Sequence, residues 1–155
     1  MDETIAARLA GAGVTLPAAA APAANYVPFV RQGDLLFVSG QISVLAGGAA
    51  FRGKLGGGVS LEDGRKAARI CAINILAQLK SALDGDLERI GRIVRLGGFI
   101  ASAPDFTDQH LVMNGASDFI VEVLGERGRH ARAAVGVPAL PLDAAVEIDA
   151  VVAMA

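Results

Sequence analysis

Several things are scarce in this chain, and each scarcity excludes something. There is one cysteine, Cys71, so no intrachain disulfide can form. Cys71 stands beside Ile70 and Ile73 in a helical pattern, which reads as a small core residue. With two histidines, His110 and His130, and no Cys/His cluster, metal-ligand spacing is missing and no metal or other cofactor is expected. Both histidines read as exposed, His110 near a helix start and His130 at a solvated loop end. Positive charge is not in excess: 14 Lys+Arg against 16 Asp+Glu give a formal charge of −2. Such a balance offers no long-range pull on phosphate backbones or anionic lipid, so neither nucleic acid nor membrane is an expected partner. No uncharged apolar run reaches the roughly 18 residues that span a bilayer. The start Met1-Asp2-Glu3-Thr4 lacks the basic residues of a secretory signal, and a reducing cytoplasm is the expected home. No serine sits in a nucleophile elbow, and the glycine-rich stretch 46–58 has no Walker spacing.

Apolar residues are plentiful. They make up 53% of the 155 residues, a large share for one domain with a high surface-to-volume ratio. Much of this is alanine, but the excess still predicts surface buried against identical subunits.

The pattern predicts a single domain over 1–155, with 1–24 as an N-terminal extension. Residues 2–10 suit a short helix with Asp2 as N-cap and Ile5 and Leu9 on one face. Pro17 to Ala24 reads as an extended Ala/Pro connector. Tyr26–Val30 and Leu35–Ser39 flank the turn signal Arg31-Gln32-Gly33-Asp34 and predict a hairpin. Ser60, with Asp63 three residues on, opens a helix whose stripe is Ala68, Ala72, Leu76, Leu79 and Leu83. Ile93–Ile100 reads as a strand, with a bulge at Gly97-Gly98. Asp108 can cap a second helix to about Leu124, burying Leu111, Phe119 and Val123. Arg132–Val137 and Ala144–Val152 read as a final hairpin around Pro138 and Pro141. The fold class is α+β: a mixed or mostly antiparallel sheet with two helices on one face.

Alternation along Val146-Glu147-Ile148-Asp149 puts both carboxylates on one face, about 7 Å apart. If the hairpin turns near Leu140, Arg132 lies across from Glu147 or Asp149. Two readings stay open. One is an ordinary surface ion pair worth about 0–1 kcal/mol. In the other, the guanidinium grips a ligand carboxylate with two hydrogen bonds and Glu147 activates water as a general base.

Phe37-Val38-Ser39-Gly40-Gln41, Asn114, Arg132 and Leu140-Pro141 before Val146-Glu147-Ile148 together resemble the RidA/YjgF family of reactive-imine deaminases, over about Pro22 to Val152. The resemblance implies a chorismate-mutase-like fold in a homotrimer, with a central β-barrel and clefts between subunits. It further implies hydrolysis of small 2-imino acids to 2-oxo acids and ammonia. Arg132 would hold the carboxylate, and Glu147 and the backbone at Ala134 would handle water and imine. Tyr26, Ser39, Gly40 and Asn114 would line the cleft. Relatives usually read Arg-x-Cys-x-Glu where this chain reads Arg132-Ala133-Ala134-Val135-Gly136, as in a divergent branch with Ala-Val-Gly-Val after the arginine. That departure changes the size and polarity of the cleft. It keeps open a trimer that binds a small oxo acid without turnover. Endoribonuclease activity, claimed for some relatives, fits poorly with the acidic balance and the absence of a basic stripe.

Overall fold

The computed structural model describes residues 3–22, 24–45 and 48–155. Helix α1 spans Ile5–Gly11, and its N-cap is Thr4, whose Oγ1 accepts from the Ala7 N–H at 3.2 Å. The expected cap, Asp2, lies outside the described residues. Ile5 and Leu9 are buried, as the spacing predicted. Strand β1 (Phe29–Gln32) turns through Gly33-Asp34 into β2 (Leu35–Ile42), with Gln32 paired to Leu35. Gly33 has φ +59°, the left-handed conformation that such a tight turn demands. The stretch from Val44 to Val59 forms only two short two-stranded ladders among its described residues.

Helix α2 (Leu61–Ala82) is capped by Ser60, whose hydroxyl accepts from the Asp63 N–H at 3.1 Å. Its whole predicted stripe is buried. Helix α3 (Gln109–Leu124) buries Phe119 and Val123, while Leu111 is only half-buried and Val112 takes the core position. Asp108 stands at the N-cap but its side chain caps nothing. Helices α2 and α3 touch closely because Gly115 has no side chain: a Cβ there would fall on the backbone carbonyl of Arg65. No helix among the described residues is long and apolar enough to cross a membrane.

Strands β3 (Ile90–Ala101), β4 (Ala131–Val137) and β5 (Val146–Met154) complete one sheet in the order β1-β2-β5-β3-β4. All neighbours are antiparallel except β3 and β4, so the sheet is mixed. Leu36, Val38, Ile93, Leu96, Ile100 and the alternate residues Val146, Ile148, Ala150 and Val152 pack against the helices. The opposite face carries Val30, Phe37 and Val135, which stay 51%, 44% and 46% exposed.

Two expectations are corrected. The final hairpin does not exist: β3 lies between β4 and β5, so Arg132 pairs with Leu96 and Leu96 with Ala150. The hairpin reading assumed that strands adjacent in sequence are partners, which is common but not required. Here the link 138–145 crosses the end of β3, held by Ser102 N–H to the Val137 carbonyl and Ala101 N–H to the Ala145 carbonyl, each 2.9 Å. The second correction concerns Gly97-Gly98, which sit in unbroken register; the irregularities in β3 fall at Gly91 and Val94. The glycine pair exists for space, since a Cβ would strike Asp149 at Gly97 and Met113 at Gly98.

Candidate functional site

Arg132 emerges from β4 on the helix-covered side, because its partner Leu96 is a core residue. β4 is an edge strand, so the guanidinium is exposed yet not free. Its Nη1 donates to Ser117 Oγ at 3.0 Å and its Nη2 to the His110 carbonyl at 3.1 Å. Ser117 also bonds the His130 ring, Oγ to Nε2 at 2.9 Å, and His130 Nδ1 reaches the Gly128 carbonyl at 2.6 Å. His130 is therefore half-buried in a polar chain rather than at a solvated loop end. Asn114 lies one turn beyond His110 on α3 and is half-buried. Ala134 shares the core face with Arg132 and packs against the core cluster.

Glu147 belongs to the other face and to the middle of the sheet. It pairs with Phe99 on one side and Ile42 on the other. Its carboxyl group lies over the α-carbon of Gly40, where any Cβ would collide with it. Burial pushes the Glu147 carboxyl above its ordinary value, and the charge of Asp149 two residues on adds to the effect. Asp149 itself faces Arg95 at 3.8 Å, a half-exposed pair. Cys71 is fully buried, its thiol donating to the Val146 carbonyl at 3.4 Å. Burial and then the Glu147 charge hold this thiol well above the usual cysteine range, which removes it as a nucleophile.

Ser39 and Gly40 form a bulge between Val38 and Gln41, where β2 slips by one residue against β5. The Ser39 hydroxyl donates to the Val27 carbonyl at 2.8 Å, so it ties down the segment bearing Tyr26. Tyr26 and Gly40 line one cavity of about 410 Å³. Its other walls include Pro17, Ala20 and Pro22 of the connector, together with Ile42 and Asn74. The connector is fixed there by Gln78 Nε2, which donates to the Ala20 carbonyl at 2.8 Å. Asn74 Nδ2 donates to the carbonyls of Ile42 and Val44, at 3.2 and 3.0 Å.

The predicted site residues thus fall into two groups. Tyr26, Ser39, Gly40 and Glu147 gather around β2 and β5. Arg132, Asn114 and Ala134 gather at the β4 edge. The first group has a cavity lined by Tyr26 and Gly40 and, outside that lining, the raised carboxyl of Glu147 against Gly40; the second has an oriented cation. Neither alone pairs an anion anchor with a base. Sequence reasoning missed Ser117 and the role of His130. A polar stripe at helical spacing, His110, Asn114 and Ser117, was the available signal. Among the described residues, no three His, Cys, Asp or Glu side chains converge as a metal site.

Residues 6–152 match the family described as "YjgF/chorismate_mutase-like, putative endoribonuclease". Protein TCP17 of Trypanosoma cruzi is 51% identical over 149 residues, covering 96% of this chain and 92% of that protein. The crystal structure of Atu1372 from Agrobacterium tumefaciens, described as of unknown function, is 53% identical with a TM-score of 0.92, covering 98% of this chain and 94% of the other. A "putative endoribonuclease" from Shewanella oneidensis MR-1 is 35% identical with a TM-score of 0.94, covering 97% and 99%.

Proposed function

This chain belongs to the YjgF/chorismate-mutase-like family, and on that premise we propose that it hydrolyses small 2-imino acids in a closed homotrimer. The β4 edge of one copy would meet Glu147 and the neighbouring Gly40 of the next, beside the cavity that Tyr26 and Gly40 line. The observation that carries this reading is the split itself. Arg132 and Glu147 lie on different faces and different strands of one protomer, and a closed ring of copies would bring such groups together. Two further features support it: the exposed apolar face of Val30, Phe37 and Val135, and the outer edge of β4, which no strand among the described residues covers.

The chemistry follows from the groups. The Arg132 fork binds the substrate carboxylate and sets the C2=N bond over Glu147. The Glu147 carboxylate takes a proton from water as the hydroxide adds to C2, giving a carbinolamine. Glu147, now protonated, returns that proton to nitrogen. Glu147 then takes the hydroxyl proton of the carbinolamine and passes it to the same nitrogen as the C–N bond breaks, so ammonia leaves and C2 becomes the carbonyl of a 2-oxo acid. A carboxyl held above its ordinary value is suited to accept and give back one proton. The cavity beside Gly40 would hold the substrate side chain.

The test is to generate 2-iminopropanoate in situ and follow its loss. Wild type should accelerate it, while Arg132→Ala and Glu147→Gln should not. Loss of two charge-assisted hydrogen bonds, about 1.5–3 kcal/mol each, predicts at least about 100-fold weaker carboxylate binding in Arg132→Ala. Solution mass should be three times that of the chain. A second reading has its own observation: Ala134 and Gly136 replace the usual cysteine and glutamate. It is a trimer that binds a 2-oxo acid without turnover, and it predicts binding lost in Arg132→Ala with no hydrolysis in any protein. RNA cleavage that survives Arg132→Ala would argue for neither.

A further inference from the structure

We propose that Ser117 and His130 are positioning residues for Arg132: with the His110 carbonyl they form a cradle that fixes its guanidinium for capture of an organic carboxylate. The inference rests on the reading of Arg132 as that anchor, and it adds residues which the family resemblance did not supply.

The bonding pattern has one consistent direction. The Gly128 carbonyl can only accept, so His130 Nδ1, 2.6 Å away, carries the hydrogen. In a neutral ring Nε2 is then an acceptor, and the Ser117 hydroxyl at 2.9 Å donates to it. The Ser117 oxygen keeps lone pairs for Arg132 Nη1 at 3.0 Å. Each group is used once in the role it can fill. The chain ends on a rigid point, since Gly128 is buried against the backbone of Ile120 and Val121.

This arrangement leaves the guanidinium competent. Of its five N–H bonds, one on Nη1 and one on Nη2 are occupied, so each terminal nitrogen and Nε retain a hydrogen for a ligand. A long flexible side chain on an exposed edge strand would otherwise lose much rotamer freedom when a ligand binds. Holding it beforehand removes that loss. Ser117 and His130 are themselves half-buried and come from separate elements, α3 and the segment entering β4. The cradle therefore also sets the distance between helix and edge strand.

The experiment uses the full-length protein as Ser117→Ala, Ser117→Thr and His130→Leu. Alanine is a good helix former, so Ser117→Ala should still fold, with only a small fall in thermal midpoint from the two hydrogen bonds lost. Two readouts are taken. In arginine-labelled protein, ¹⁵N spectra should resolve the Nη1 and Nη2 groups of Arg132 in wild type and merge them in Ser117→Ala, where rotation is freed. In kinetics, or in titration with 2-oxobutanoate, Ser117→Ala should raise KM or Kd about tenfold with kcat within about twofold, the size of one charge-assisted hydrogen bond. His130→Leu should give a smaller change in the same direction. Ser117→Thr, which keeps the hydroxyl, should stay near wild type. An unaltered Arg132 spectrum, or unaltered affinity, in Ser117→Ala overturns the proposal. A wild type that neither binds nor hydrolyses any such acid overturns the underlying functional reading instead, and the spectra still decide whether the cradle exists.

Discussion

Glu88 and Glu147 both stand on or beside strands of the central sheet, and the fold treats them oppositely. Glu88, in the turn before β3, is well supplied with partners. Its Oε1 accepts the Ile5 N–H at 2.7 Å and its Oε2 accepts Arg127 Nη2 at 2.8 Å. Arg127 also donates to the carbonyls of Glu88 and Ile90. The hydrogen bond from Arg127 first, and that from Ile5 next, hold the Glu88 carboxyl below its ordinary value. It ties α1 to the body of the domain. Glu147 has Gly40 beneath it and Asp149 beside it, and burial holds it high. One carboxylate is satisfied where stability needs it. The other is half-buried beside a second carboxylate and held above its ordinary value, a perturbation of the kind that functional sites carry.

Removing either carboxylate should separate the two roles. The largest effect expected is on turnover: Glu147→Gln should lower kcat for imine hydrolysis by about 10²–10⁴-fold, the usual worth of a positioned acid–base group. The same change should leave the fold intact and raise the thermal midpoint slightly at neutral pH, measured by calorimetry. Gly40→Ala comes next. The added methyl must displace the Glu147 side chain, and a misplaced base should cost about 10²-fold in kcat with little loss of folding. Glu88→Gln should do the reverse, with kcat unchanged. After discounting for its exposure, about 0.5–1.5 kcal/mol of stability should be lost, seen as a fall of a few degrees in the midpoint.

The smallest effect is in the pH dependence of stability, and its sign differs between the two groups. Glu147 titrates above 4.5 in the fold, so its contribution is complete below 4.5 and is lost as pH climbs through the folded value. Glu88 titrates below 4.5, so its contribution is complete above 4.5 and is lost as pH falls through the folded value. Thermal midpoints of wild type, Glu147→Gln and Glu88→Gln across the acid range should show each slope vanish in its own variant. Activity should also fall as pH drops through the raised Glu147 value.

Local signals carried the elements well. The Ser60 cap, the Ala68–Leu83 stripe, the first hairpin (its turn narrower than the expected 31–34, since Arg31 and Gln32 belong to β1) and the alternation through Val146–Asp149 all depend on neighbours a few residues apart, so period and turn chemistry suffice to find them. The sequence reads Arg132 and Glu147 as a cross-strand ion pair or as a carboxylate anchor with its base; the structure has an exposed guanidinium and a half-buried carboxyl. Their mutual placement was not legible. Whether β4 pairs with β5 or with β3 depends on how a long link packs across the sheet end, and no local pattern encodes that. The insertion of β3 moved Arg132 to the helix side and the edge, and it turned a supposed cross-strand pair into two groups on opposite faces of the sheet.

From the amino-acid order alone came the α+β class, the Ser60 cap, the buried stripe of α2 and the residue types that chemistry could use, because each is settled by contacts within a turn or a strand. Only the tertiary structure decided which strands are neighbours, which face each charged group occupies, and that Ser117 and His130 hold Arg132. Those outcomes depend on contacts between residues far apart in the chain, where side-chain packing and chain crossing, not local preference, set the energy.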